Sequence, residues 1–291
     1  MTAHTAFTLI NPQTKALAFK IFAFEDDSYF NQQKNYNYYS MVLVTKGKGR
    51  ITANFSEYVF NEYSLISFSI YQPYMIRAEG EFKGLLINFH PDFFCIHKHH
   101  NEVACNGVLF NNIYESPQVQ LTESEMGLFT GLVEQLKAEM QNTAVAQYEL
   151  MIAYLKIFLI NASRIKLNMQ SLNMSSTEKE PFILKTLKDA VEEHFKSKHS
   201  PSDYADLLNI STKALNRISK TYFNKTLGNL IAERIIIEAK RELYLSSKPV
   251  KMIAYELGFN DEFYFSRFFK NNADVSPQIY RDTVGFARAN A

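Results

Sequence analysis

Two short stretches in the last third of the chain hold side chains of the kinds that hydrogen-bond to nucleic-acid bases and phosphates. In the first, Lys213, Asn216, Arg217 and Lys220 are spaced so that a helix carries all four on one face. Arg and Lys donate to guanine O6 and N7 or to phosphate, and Asn pairs with adenine N6 and N7. In the second, Glu262, Ser266, Arg267 and Lys270 form a comparable polar face. One amphipathic helix with an outward Arg is usually just a solvated face. Two in tandem, each behind turn residues, shift the balance toward recognition.

The elements that would position these faces share one plan. In Val250–Lys270, Ile253, Ala254 and Leu257 give a first helix its buried stripe, and Gly258 follows where a helix ends easily in a left-handed residue. Asn260-Asp261 offers the cap of a second helix, in which Phe265, Phe268 and Phe269 face inward. Ser200–Tyr222 repeats the arrangement. Tyr204, Ala205 and Leu208 supply the first stripe, Asn209 stands in glycine's place, Ser211 caps, and Leu215, Ile218 and Tyr222 point in. Helix, tight turn and second helix with a polar, basic outside is the helix-turn-helix plan. Between the two, Leu227–Leu245 reads as a long amphipathic helix with Leu230, Ile231, Ile235, Ala239 and Leu243 apolar, a rod that would fix one unit against the other.

These residues closely resemble the AraC/XylS family of bacterial transcription regulators. The resemblance runs from about 183 to 285. It rests on Ile253-Ala254, Leu257-Gly258-Phe259, Asp261, Phe265-Ser266-Arg267, Phe269-Lys270 and the closing Ser276-Pro277 and Tyr280-Arg281. Ile210-Ser211, Leu215-Asn216-Arg217, Lys220, Arg234 and Ala239 add to it. It implies that Lys213, Asn216, Arg217 and Lys220 read one major groove of double-stranded DNA, and that Glu262, Tyr264, Ser266 and Arg267 read, or anchor beside, the next. It also implies an N-terminal cupin-type barrel that takes a small effector, a helix pair that makes a homodimer, and RNA polymerase as a partner. Two positions depart from the family: Phe263 replaces a small polar residue, and Asp274 stands where glycine is common.

Other clusters compete for attention. Four of the seven histidines and both cysteines lie between His90 and Cys105. In an extended segment Cys95, His97 and His99 would share a side, and such N/S ligands suit zinc or copper. That makes a metal- or thiol-responsive regulator the alternative reading, although the spacing matches no standard site. The bland reading is a surface loop with Phe94 and Cys95 packed inward. A metal-dependent cupin enzyme needs inward histidines, and residues 36–87 contain none. No catalytic residue, metal site or cofactor is therefore expected. With 24 Phe, 17 Tyr and no Trp, the barrel interior should be aromatic. Tyr38, Tyr39, Phe68, Tyr71 and Tyr74 are candidates to line an effector pocket, or simply to fill the core.

The chain as a whole agrees with this division. Its 291 residues suffice for two domains, and 46% hydrophobic with 21% charged residues is a globular balance. The net charge of +1 hides an asymmetry: residues 182–291 hold 17 Lys/Arg against 13 Asp/Glu, and residues 1–181 carry the acidic excess. No secretory signal or membrane helix is read, and two cysteines make no disulfide framework, which points to the cytoplasm. Short β-branched and aromatic runs at Tyr39–Thr45, Gly49–Phe55, Tyr63–Ser69 and Gly84–Phe89 suggest a sandwich or small barrel. Thr122 and Glu125 form a capping-box pattern ahead of a helix to about Met140, and a second helix spans about 144–166. The expectation is an α+β protein of two domains. Residues 1–166 form a cupin-like sensing and dimerisation domain with a helix pair. Residues 167–181 are a polar linker, and 182–291 are an all-α DNA-binding domain with two helix-turn-helix units.

Overall fold

In a computed structural model, residues 6–11, 14–142, 144–176 and 182–284 are described, and the chain divides into two compact units, one mainly N-terminal and one C-terminal. The N-terminal unit is built on β1 (Ala6–Ile10), β2 (Leu17–Phe24), β3 (Tyr39–Lys46), β4 (Gly49–Ala53), β5 (Ser56–Phe60), β6 (Ser64–Phe68), β7 (Tyr74–Ala78), β8 (Lys83–Phe89) and β9 (Gln118–Gln120). A six-stranded sheet has the order β1-β2-β8-β3-β6-β9, and a three-stranded sheet the order β5-β4-β7. Among the described residues no ladder joins the two, so the expected closed barrel is instead a pair of sheets. Strand alternation aims Phe22, Phe24, Val42, Val44, Ile66 and Leu86 of the large sheet at Ile51, Phe60 and Ile76 of the small one.

The other face of the large sheet is buried as well. Phe93 packs on Phe19 at 5.1 Å, and Phe110 meets Tyr39 at 4.9 Å between ring centroids. This is why β2 and β8 are apolar nearly throughout rather than alternating. The covering layer includes α1 (His100–Val103), α2 (Glu123–Gln141) and α3 (Gln147–Ser176). Thr122 and Glu125 do form the reciprocal capping box of α2. Phe129 packs at a tilt on Phe158 at 4.5 Å and Gln147 donates to the Glu139 carbonyl, so α2 and α3 run antiparallel. The expected linker starts too early, because α3 continues through Ser176. Residues 167–176 contain Leu, Met and Gln among Asn and Ser and neither Gly nor Pro, so no strong breaker stops the helix. Residues 177–181 lie outside the described residues.

The C-terminal unit is all helix: α4 (Phe182–His194), α5 (Pro201–Leu208), α6 (Thr212–Phe223), α7 (Leu227–Leu245), α8 (Val250–Glu256), α9 (Glu262–Ala273) and α10 (Pro277–Val284). α7 packs against each of the other six. It is their common core as well as a connecting rod, and Leu227, Leu230, Ile231, Ile235, Ala239 and Leu243 are buried along it. Burial there also pulls the Lys240 ammonium down to about 7, against the opposing pull of Glu233 and Asp274. Among the described residues, no helix is long and apolar enough to cross a membrane.

Candidate nucleic-acid interface

The recognition faces rest on two helix pairs that repeat each other at an offset of 50 residues in their second helix. α5 opens with a capping box between Ser200 and Asp203 and closes on Asn209, left-handed at φ 53°. α6 is capped by Ser211, which accepts from the Ala214 N–H, and ends on left-handed Asn224. In the second pair Gly258 takes the turn at φ +82°. Asp261 caps α9 by accepting from the N–H groups of both Phe263 and Tyr264, and left-handed Asp274 closes it. Asp274 therefore occupies a conformation that glycine adopts without strain, which explains that departure from the family.

The buried side of each second helix follows the same offset, with one correction. On α6 the fully buried positions are Leu215, Ser219 and Phe223, spaced by four, while Ile218 is half-buried and Tyr222 is 52% exposed. The inward aromatic is thus Phe223, not Tyr222. On α9, Phe265, Phe269 and Ala273 are buried and Phe268 only partly so. Tyr280 of α10 packs edge-on against Phe269, and Arg281 donates to the Lys248 carbonyl, so the closing motif secures the entry to α8.

The outward side carries the residues singled out in sequence. Lys213, Arg217 and Lys220 are exposed on α6, as are Tyr264, Arg267 and Lys270 on α9, with Glu262 and Ser266 half-exposed. None of Lys213, Arg217, Lys220, Arg267 or Lys270 forms an ion pair among the described residues. Arg234, Arg241 and Lys248 in the same unit all do. Five cations on two aligned helix faces are thus left without an internal counter-charge. An open cleft of about 820 Å³ runs along α6, lined by Lys213, Asn216, Arg217, Lys220 and Thr226. Asn216 is partly committed: its Oδ1 accepts the Leu227 N–H at 3.1 Å, which ties α6 to the first turn of α7.

The two pairs are also joined through the turn of the second. The Nε2–H of His199 donates to the Leu257 carbonyl at 2.8 Å, and its ring lies 4.6 Å from that of Phe259. Burial holds the His199 imidazole below its usual value, against the opposing pull of that carbonyl. A Cβ on Gly258 would fall 2.0 Å from the Lys196 carbonyl oxygen. Glycine is required there on both counts, conformation and space.

In the N-terminal unit the five candidate pocket residues do not all converge, although Tyr38, Phe68 and Tyr74 are neighbours. Phe68 and Tyr74 stack at 3.8 Å on the face between the sheets, and Tyr38 stacks on Tyr36 at 4.7 Å. Tyr39 points to the opposite face of the large sheet, against Phe89, and Tyr71 is buried in the loop before β7. Sequence reading missed their polar company. Ser40 pairs in register with Asn88, and both share the parity of the inter-sheet residues. Both polar atoms of Asn88 are buried without a hydrogen-bond partner among the described residues, and the buried Ser40 and Tyr74 hydroxyls lie close to each other. Polar letters at inward positions of otherwise apolar strands were the available signal.

The segment from His90 to Cys105 forms no metal-like group: among the described residues no three His, Cys, Asp or Glu side chains converge. His90 sits by Asp92, and His99 hydrogen-bonds Glu102 and stacks on Phe94. Both cysteines are buried, and burial pushes the Cys105 thiol up to about 12.

Comparison with known proteins points the same way. A helix-turn-helix domain family model matches residues 204–283. The regulatory protein SoxS of Salmonella typhimurium is 31% identical over 99 residues, which are 34% of this chain and 92% of SoxS. The raffinose operon transcriptional regulatory protein RafR of Pediococcus pentosaceus is 30% identical over 95 residues, 33% of this chain and 34% of RafR. The chain thus matches about a third of that relative's length. Among solved structures, ToxT from Vibrio cholerae O395 is similar over 92% of this chain and 98% of its own, at 14% identity and a TM-score of 0.39. With its repeated capped helix pairs and a match along nearly the whole of SoxS, this chain belongs to the AraC/XylS family of transcription regulators.

Proposed function

We propose that the protein regulates transcription by laying α6 and α9 into successive major grooves on one side of double-stranded DNA. The observation that carries this is the set of unpaired cations, Lys213, Arg217 and Lys220 on one helix and Arg267 and Lys270 on the other, with Arg217 and Lys220 matching Arg267 and Lys270 in the structural repeat. Asn216, Glu262, Tyr264 and Ser266 complete the two faces. The DNA-binding domain begins at about Phe182, after the helix that ends at Ser176. Footprinting with the full chain tests the reading. Each subunit should protect an asymmetric site of roughly 20 base pairs, in two patches about 34 Å apart. One short patch per subunit would leave only one of the two helix pairs as a DNA reader.

The N-terminal unit serves, in this reading, as a cupin-like effector and dimerisation domain, with RNA polymerase as the partner that the bound dimer recruits. Leu150, Ile157 and Leu167 are each more than 40% exposed along α3 and recur near heptad spacing, which supports a helix-to-helix homodimer. The unpartnered amide of Asn88 supports an effector with both donor and acceptor groups, because each such atom left alone costs about 1–3 kcal/mol. Mass spectrometry of natively purified protein, before and after denaturation, would detect that molecule. The metal- or thiol-responsive alternative has no comparable support, given the buried cysteines and the dispersed histidines.

A further inference from the structure

Phe263 is the one residue on the recognition faces whose chemistry the reading above leaves unused. It sits at the second position of α9, where its own N–H is held by the Asp261 cap at 2.9 Å. That bond fixes the first turn and hence the direction in which the side chain leaves the helix. The side chain is 69% exposed, and its ring takes part in no ring contact among the described residues, unlike Phe259, Phe265, Phe268 and Phe269 beside it. Losing the ring would leave no cavity behind. The ring is thus free to meet an external apolar group.

The repeat says where that group lies. Counting back 50 residues from Phe263 gives Lys213, likewise the second residue after the cap and likewise exposed. Arg217 and Arg267 correspond in the same way, each one turn further along. A lysine at this position can satisfy a phosphate or a purine edge. A phenyl ring can do neither. In the major groove a single group is apolar, the C5-methyl of thymine.

We propose that Phe263 reads a thymine C5-methyl in the groove entered by α9, beside the base pair contacted by Arg267, so that the second unit sorts DNA by an apolar contact where the first uses a cation. This rests on the assignment of α9 as a DNA reader. It makes the two half-sites chemically unlike: the second requires a methyl group that the first does not.

The test uses the full chain and a duplex selected by it from a randomised pool. Thymines of that duplex are replaced one at a time by deoxyuridine, which removes the methyl and nothing else. Wild type should lose about fourfold in affinity at one thymine of the second half-site, the value of one buried methyl-sized group. Phe263→Ala should bind the parent duplex more weakly, show no further loss at that deoxyuridine, and melt as wild type does. Phe263→Lys, which copies the first unit, should bind without regard to that methyl. If the duplex is bound, Arg267→Ala weakens it, and every deoxyuridine effect is the same in wild type and Phe263→Ala, the role of Phe263 is overturned alone. If the chain selects no sequence, or Arg267→Ala leaves binding unchanged, the assignment of α9 falls and takes this one with it.

Discussion

Asn216 has a structural bond that its place in the sequence does not show. Its type and spacing mark it as an adenine reader, yet its Oδ1 also accepts the first N–H of α7. Arg217 and Arg267 have no such bond among the described residues. Alanine at Arg217 or Arg267 should weaken specific binding by about 1–3 kcal/mol and leave the melting temperature alone. Asn216→Ala should lower both, and anisotropy titrations alongside circular-dichroism melts separate the two patterns. An unfolded Arg217→Ala or Arg267→Ala would mean that the outward assignment is wrong. In the N-terminal unit, Asn88→Leu should hold or raise the melting temperature, since it removes two buried polar atoms that lack partners. A large fall would place Asn88 in an internal network instead. The outward faces of α6 and α9 were legible because helix period is local. Ser40 and Asn88 were not, because their partnering depends on which strands become neighbours, and β3 lies between β6 and β8.

At the scale of elements, caps and turns explain why the C-terminal helices were legible. Ser211, Asp261 and Gly258 act within a few residues of themselves, and each does what its type suggested. Asp261→Ala should cost about 0.5–2 kcal/mol, toward the upper end because two N–H groups lose their acceptor. Asn209→Val should cost about 1–2 kcal/mol through its left-handed backbone, whereas Asn209→Gly should be nearly neutral. Urea denaturation of the four proteins, wild type included, gives the ranking. A Val variant as stable as the Gly one would contradict the left-handed assignment. Sequence was less informative where distant packing decides. β2 is buried nearly throughout and so shows no alternation, β9 is only three residues long, and the end of α3 has no local stop signal. The exchange of Tyr222 for Phe223 has a similar origin. Either aromatic fits a helical stripe, and only the four-residue step from Leu215 through Ser219 selects the second.

For the molecule as a whole, His199 joins the two helix pairs, and its protonation is set against folding. Its value in the folded chain lies below the unfolded one of about 6.5. The unfolded state therefore binds more protons as pH falls through that range, and the contribution to stability that is present above about 6.5 is lost on acidification. Melting temperatures from pH 8 to pH 5 should fall more steeply for wild type than for His199→Gln, and parallel curves would remove His199 from the account. The contact next to it has a consequence that can be counted in base pairs. With no room for a Cβ between Gly258 and the Lys196 carbonyl, the second turn has nowhere to slide, so the phase between the two grooves is fixed by the protein and the DNA must match it. One base pair inserted between the half-sites turns the second by roughly 35° and moves it about 3.4 Å. Wild type should then hold such DNA with one unit only. Gly258→Ala should melt lower and discriminate less between the two spacings, behaving as a ruler with a loose joint.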